Sequence, residues 1–232
     1  MLFRPAESSK KIVDFYRNYL LTTFKTNKDE YNQQLKNHLS KDESLAKGPY
    51  INLTDPFTKD KTIHELTQEG ILSPLFLQFN KFHPYRPLYR HQVESIRKAV
   101  NRKNLIVTTG TGSGKTECFL IPVVNQLLRE RENGTLSPGI RTMIIYPMNA
   151  LVNDQIRRLR EIFEDAGIED ITFGRFTGET KEFKNDALRE YIDREGRKPI
   201  KNELISREQM RATPPHILIT NYAMLEYLLL RP

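Results

Sequence analysis

The sequence predicts an α/β fold in which a parallel sheet is flanked by helices and preceded by a mainly α-helical N-terminal region. Apolar segments at residues 105–108, 141–146, 171–176 and 216–220 alternate with helical patterns, which is typical of βαβ units. A glycine-rich loop joins the first of these segments to a helix. Because the carboxyl ends of parallel strands meet at one end of a sheet, the loops that follow them should lie close together.

The domain organisation is predicted to change at residue 82. Residues 1–82 form a helical accessory region, and the aromatic side chains of its first helix, within residues 8–24, are predicted to be packing groups. Residues 83–232 form the α/β domain. The N-terminal region is compatible with an autoinhibitory, a protein-binding or a nucleic-acid-binding element, so a protein partner bound through residues 1–80 is one candidate.

Composition limits the class of protein. The 232 residues include 36 Lys and Arg against 29 Asp and Glu, and the resulting net charge of +7 favours a polyanionic partner. The single cysteine, Cys118, excludes an intramolecular disulfide and a cysteine-based metal cluster. No apolar run approaches the roughly 18 residues of a membrane span, and the N-terminus lacks the apolar core of a signal peptide. We therefore expect a cytoplasmic protein.

The glycine-rich loop has the pattern of a phosphate-binding loop between a strand and a helix. Its glycines let backbone N–H groups converge on phosphate oxygens, and the helix N-terminus adds a positive dipole end. Lys115 is expected to reach the β- and γ-phosphates of ATP, and the Thr116 hydroxyl to hold Mg²⁺. The predicted ATP contacts of the loop are Thr109, Gly110, Thr111, Gly112, Ser113, Gly114, Lys115 and Thr116. Thr109 stands where the strict pattern has glycine, and the alternative is a glycine-rich turn without a ligand.

The same loop, read together with Leu88-Tyr-Arg-His-Gln92, resembles motifs of superfamily 2 nucleic-acid helicases of the DEAD/DEAH type. The resemblance covers about residues 88–232 and implies an incomplete, P-loop RecA-like first domain. It implies that Gln92 recognises the adenine edge through its amide, which has both a donor and an acceptor. The alternative interpretation of Gln92 is a surface glutamine on a helix without a ligand. The residues of these motifs are similar to those of the Lhr-like and mitomycin-repair-type prokaryotic branch of the family.

Three later segments resemble the family's strand-gripping motifs: Tyr146-Pro-Met-Asn-Ala-Leu-Val-Asn-Asp-Gln155, Phe176-Thr-Gly-Glu179 and Ile219-Thr-Asn-Tyr-Ala-Met-Leu225. The resemblance implies contacts to a nucleic-acid backbone, with DNA favoured over RNA. The implied contacts are Pro147, Asn149, Ala150, Leu151, Thr177, Gly178, Thr220 and Asn221. Phosphate contacts should be independent of base sequence and sensitive to salt. Arg157, Arg158 and Arg160 add to the expected positive field, although helical spacing cannot place all three on one face.

The family's acidic hydrolysis motif is not found in the sequence, because Glu226 is the only carboxylate after Thr220 and lies in an apolar helical pattern. The resemblance thus implies the ATP-binding N-terminal part of a helicase or translocase, truncated before that motif and lacking the second RecA-like half. Such a chain should bind ATP weakly and hydrolyse it poorly. One alternative is a truncated, non-hydrolysing nucleotide-binding module that acts as a regulator or assembly partner. Another is a translocase subunit of a restriction-type complex.

Overall fold

The computed structural model describes residues 4–41, 44–48, 50 and 55–230. The chain divides into two compact units, Met1–Pro56 and Phe57–Pro232. This division comes earlier than the predicted boundary at residue 82, because Ile63, Phe76 and Phe79 belong to the same hydrophobic core as the sheet. The outer limits of the predicted domains, residues 1–3 and 231–232, lie outside the described residues. The assignment of residues 1–82 as an accessory region stays a prediction.

The first unit contains two helices, α1 (Pro5–Thr23) and α2 (Asp29–Leu39). Arg17 joins them, because its Nε donates to the Leu39 carbonyl at 2.9 Å while its NH1 lies 2.7 Å from Asp14. No residue of α1 is buried, and Phe15 is 75% exposed. The prediction that the aromatic side chains of this helix are packing groups is therefore wrong for the described structure.

The second unit is built from seven further helices, two 3₁₀ turns and four strands among the described residues. The helices are α3 (Ile63–Gln68), α4 (Arg90–Val100), α5 (Lys115–Glu132), α6 (Asn149–Ala166), α7 (Lys184–Glu195), α8 (Arg207–Ala212) and α9 (Tyr222–Leu230). The turns are Pro74–Gln78 and Asn80–Phe82. The strands are β1 (Thr142–Tyr146), β2 (Phe173–Phe176), β3 (Glu203–Leu204) and β4 (Ile217–Asn221). Among the described residues, no helix is both long enough and apolar enough to cross a membrane.

The sheet has the strand order β1-β4-β2-β3, and every pair is parallel. This confirms the predicted parallel sheet flanked by helices. Ile217 and Ile219 on one face of β4 are fully buried and Leu218 and Thr220 on the other are 7% and 1% exposed, as expected for an inner parallel strand covered on both faces. Gly174 of β2 permits close packing, since a Cβ there would lie 2.8 Å from Met210 Sδ and 3.0 Å from the Leu204 carbonyl oxygen.

The apolar segment at residues 105–108, predicted as a strand, is not one in the structure. Ile106 is 92% exposed. Among the described residues, no strand pairs with this segment, and β1 is hydrogen-bonded only to β4. A strand needs a neighbour to satisfy its backbone N–H and C=O groups, so β-branched composition alone cannot produce one.

His216 fixes the start of β4. Its Nδ1 accepts the Thr172 backbone N–H at 2.9 Å, and its Nε2 lies 3.1 Å from the Ser137 carbonyl oxygen, which can only accept. The neutral tautomer with the proton on Nε2 satisfies both contacts. Burial lowers the pKa of His216 below its ordinary value, opposed by the Ser137 carbonyl and reinforced by the charge of Arg141.

We expect the free energy of unfolding to decrease as the pH falls below about 6.5, the ordinary pKa of histidine. In that range the unfolded chain binds a proton that folded His216 accepts only at lower pH, so the folded state is disfavoured. The His216→Asn variant keeps an acceptor near the position of Nδ1 and cannot be protonated, so its stability should depend less on pH. Urea unfolding of both proteins between about pH 7.5 and 5 measures the difference, and parallel curves would contradict the prediction.

Candidate nucleotide and nucleic-acid site

In residues 109–116, which we call the phosphate loop, two of the three glycines predicted to be able to take a positive φ do so, and Gly110 does not. Gly112 and Gly114 have φ values of +75° and +72°, which side-chain-bearing residues rarely adopt. The Lys115 ammonium donates to the carbonyl oxygens of Thr109 at 2.9 Å and Gly110 at 2.8 Å. Ser113 is fully buried, and its Oγ lies 2.6 Å from Thr109 Oγ1. Thr109, which replaces the glycine of the strict pattern, therefore closes the loop through its hydroxyl.

The tip of the phosphate loop is open to solvent. Gly110, Thr111 and Gly112 are exposed, and a Cβ added at either glycine would meet no described atom within 4 Å. Helix α5 begins at Lys115, so its N-terminal N–H groups and Lys115 lie at the same place. Thr116 follows in the first helical turn and is half-buried. The predicted ATP contacts of the loop are thus brought together.

Helix α4 holds the phosphate loop from behind. Gln92 is 4% exposed, and its amide Nε2 donates to the Gly114 carbonyl at 2.9 Å. Its Oε1 accepts the backbone N–H of Tyr89 at 2.8 Å. His91 Nε2 lies 2.9 Å from the Ser113 carbonyl oxygen, which can only accept, so Nε2 carries the proton. Both ends of the Gln92 amide are therefore engaged within the protein, and its predicted contact with adenine stays a prediction.

The structure brings the three predicted strand-gripping loops together at the carboxyl end of the sheet. These loops are residues 147–151, 177–180 and 221–222. Asn221 Nδ2 donates to Asn149 Oδ1 at 2.6 Å, and Asn149 Nδ2 donates to Glu179 Oε1 at 2.8 Å. Arg175 NH1 donates to Glu179 Oε2 at 3.2 Å and to Asn153 Oδ1 at 2.5 Å. One chain of hydrogen bonds thus connects the loops after β1, β2 and β4.

The predicted strand contacts differ in their accessibility. The exposed ones are Pro147, Ala150, Leu151 and Gly178, whereas Asn149 and Asn221 are half-buried. Thr177 and Thr220 are 0% and 1% exposed. The Thr220 hydroxyl donates to the Phe176 carbonyl at 2.6 Å, and Thr177 Oγ1 has no hydrogen-bond partner among the residues that the structure describes. These two hydroxyls face the interior, so a strand contact through either residue stays a prediction.

The three arginines of α6 point in different directions, as helical spacing predicts. Arg157 is exposed, and Arg158 lies 2.5 Å from Glu117 on α5. Arg160 is 2% exposed and is bound by both oxygens of Glu203, at 2.7 and 2.9 Å. Burial alone lowers the pKa of Arg160, but the hydrogen bonds and charge of Glu203 outweigh it and hold the pKa above its ordinary value. Arg160 therefore stabilises the interior and does not face a bound phosphate.

Sequence reasoning assigned no role in this site to the side chains of His91, Asn153, Arg175 and Glu179. Asn153 lies four residues after Asn149 on α6, and this spacing places both on one helix face. That signal was available in the sequence. Arg175 lies in the half-buried part of the short strand β2, and its side chain reaches Glu179, four residues later, and Asn153 on α6. The contact with Asn153 depends on the packing of α6 on β2, which the sequence does not show.

Residues 89–231 match the family model of the DEAD/DEAH box helicases. The chain therefore belongs to the DEAD/DEAH box helicase family. It is 27% identical to Druantia protein DruE of Escherichia coli, over 97% of this chain and 17% of that protein. It is 30% identical to ATP-dependent helicase Lhr-Core of Methanothermobacter thermautotrophicus, over 65% of this chain and 16% of that protein. The chain thus spans only a small part of the length of these relatives.

The fold is shared with a solved helicase structure. The DEAD-box helicase Mss116, in a structure with ssRNA and UDP-BeF, matches with a TM-score of 0.53 and 18% identity, over 76% of this chain and 31% of that one. This likeness supports the RecA-like architecture, and it agrees with the parallel order of the four strands.

The contact between Gln92 and the phosphate loop can be tested by a pair of glycine variants. Gly114→Ala should destabilise the protein by roughly 2 kcal/mol, because its positive φ is strained and its Cβ would overlap Gln92 Nε2 and break the bond to the Gly114 carbonyl. Gly112→Ala has a similar φ but open space around the Cβ, so roughly 1 kcal/mol is expected. Urea unfolding measures both, and equal losses would show that Gln92 does not hold the loop.

Proposed function

We propose that this chain is the ATP-binding N-terminal part of an ATP-dependent nucleic-acid helicase or translocase, which grips a strand through the carboxyl end of its sheet. One observation carries the proposal: the second unit contains both a phosphate loop closed by Lys115 and a hydrogen-bonded set of three loops. A nucleotide-binding switch needs only the first of these features. A motor that moves along a strand needs both.

ATP with Mg²⁺ fits the phosphate loop. Lys115 would exchange the carbonyl oxygens of Thr109 and Gly110 for phosphate oxygens, which carry full negative charge and bind an ammonium more strongly. The Thr116 hydroxyl would be the protein's ligand to Mg²⁺, because it follows Lys115 in the first turn of α5 and supplies the oxygen that this cation prefers. Gln92 would keep one amide N–H for the adenine, because only one of its two is given to Gly114.

The strand would lie along Pro147–Leu151 and Gly178, whose exposed backbone suits phosphate and sugar contacts. Such contacts carry little sequence information. DNA is proposed over RNA because of the motif sequences alone. Contacts to phosphate would accept either nucleic acid. Full motor activity is proposed to require a second RecA-like half, and the setting is proposed to be the cytoplasm.

A second candidate function is a non-hydrolysing nucleotide-binding module that serves as a regulator or assembly partner. The exposed aromatic side chains of α1, including Phe15 and Tyr19, favour it because they offer a surface for a protein partner. The connected loops at the carboxyl end of the sheet favour the motor, since a regulator has no need to hold a strand.

Nucleotide binding is tested with a fluorescent ATP analogue in the presence of Mg²⁺. We expect weak, saturable binding to the wild-type chain and its loss in Lys115→Ala. Lys201→Ala removes the same charge from an exposed residue paired with Glu169, so it should bind like the wild type. No binding by a folded wild-type chain would contradict the nucleotide site. ATP turnover above background that is lost in Lys115→Ala would contradict the expectation of poor hydrolysis.

Strand binding is tested by fluorescence anisotropy with labelled single-stranded DNA. Affinity should fall as salt increases, because bound phosphates release counterions. Ala150→Glu, which places a carboxylate at an exposed position on the proposed path, should weaken binding several-fold. Ala212→Glu adds the same charge at the exposed end of α8 and serves as the matched control. Equal effects of the two variants would place the strand elsewhere.

A further inference from the structure

The carboxyl end of the sheet already holds an anion that belongs to the protein. The Glu179 carboxylate accepts from Asn149 Nδ2 at 2.8 Å through one oxygen and from Arg175 NH1 at 3.2 Å through the other. Its side chain is 51% exposed, whereas that of Arg175 is 15% exposed. A half-exposed carboxylate thus covers two donors that lie deeper than itself.

Arg175 needs an anionic partner at this position. Burial lowers the pKa of Arg175, and the nearby charge of Arg194 lowers it further, while the charges of Glu179, Glu190 and Glu203 oppose both effects. A buried guanidinium without an anion beside it would be costly. The cavity of about 350 Å³ next to Arg175 is lined by both signs of charge, with Arg157, Lys181 and Arg194 on one side of the balance and Glu190, Glu195 and Glu203 on the other. The need for an anionic oxygen is therefore local to the Arg175 guanidinium, and a carboxylate or a phosphate could supply it.

The loop can release Glu179 without refolding. Thr180 anchors the loop of residues 177–180, because its hydroxyl donates to the Arg175 carbonyl at 2.9 Å and accepts the Thr177 backbone N–H at 3.0 Å. Glu179 lies between this anchor and exposed Gly178, whose surroundings are open. A rotation of the Glu179 side chain toward solvent would uncover Asn149 and Arg175 while the backbone stays in place.

We propose that the Glu179 carboxylate stands in for a backbone phosphate in the strand-free protein, and that a bound strand displaces it from Asn149 and Arg175. The inference rests on the proposed function and adds a determinant of affinity to it. Strand binding at this point is an exchange of one anion for another. Glu179 therefore lowers the affinity for nucleic acid, and removal of its charge increases it.

The test compares Glu179→Gln with the wild-type 232-residue chain in anisotropy titrations with labelled single-stranded DNA at several salt concentrations. Affinity should rise about three- to tenfold, on the scale of one typical hydrogen bond. The plot of log affinity against log salt should become steeper by about 0.7, the value for one additional phosphate contact to a single strand. A role confined to stability would change the melting temperature and leave this slope unchanged.

Glu182→Gln is the matched control, since Glu182 lies three residues further along and pairs with Arg211 away from this network. It changes the net charge equally and should alter affinity much less. In an Arg175→Gln background, the gain from Glu179→Gln should shrink towards the Glu182→Gln value. If Arg175→Gln does not fold by circular dichroism, Asn149→Ala supplies the background instead.

The outcomes separate the two claims. If the wild-type chain binds DNA in a salt-dependent way and Glu179→Gln matches Glu182→Gln, the displacement of Glu179 is overturned and the proposed function stands. If no folded variant binds DNA even at low salt, the proposed function fails, and the inference fails with it. Binding that is detectable only after Glu179→Gln would support both.

Discussion

The buried strand β4 is the constraint on which the rest of the α/β unit depends. It pairs in register with β1, from Thr142↔Ile217 to Tyr146↔Asn221, and with β2, from Phe173↔Ile217 to Phe176↔Thr220. The ends of three strands are thereby fixed at the same level. A shift of one residue would turn the buried side chains of β4 to the opposite face and separate Asn149, Glu179 and Asn221. The geometry of the proposed strand site is thus a consequence of hydrophobic burial in β4.

The phosphate loop depends on different contacts. Because residues 105–108 are not part of the sheet, the loop is positioned from the helical side, by the packing of α4 on α5 and by Gln92 and His91. Val93 and Ile96 of α4 lie in the same core as Leu120 and Ile121 of α5. The nucleotide site therefore depends on a helix–helix contact, whereas the strand site depends on the register of the sheet. Substitutions in α4 should affect the first site more than the second.

Local chemistry determined how far the sequence alone could predict the structure. Apolar periodicity, which is a local property, predicts helices α4 and α5 and the three parallel strands of four or more residues. Glycine placement, which is also local, predicts the positive φ of Gly112 and Gly114. The segment at residues 105–108 has the same local signal, yet it forms no strand because pairing requires a neighbour. The burial of Thr177 and the contact of Arg175 with Asn153 depend on residues distant in the chain, so no local pattern could show them.

The net charge of +7 is a poor guide to where a polyanion would bind. Among the arginines of α6 and β2, Arg158 pairs with Glu117, Arg160 with Glu203 and Arg175 with Glu179. The pair of Arg160 is buried and would be costly to break, whereas that of Arg175 has a half-exposed carboxylate. A phosphate can therefore replace the anion at Arg175 far more readily than at Arg160. If a strand binds as proposed, its affinity is governed by which ion pair can be exchanged, and counting basic residues does not predict it.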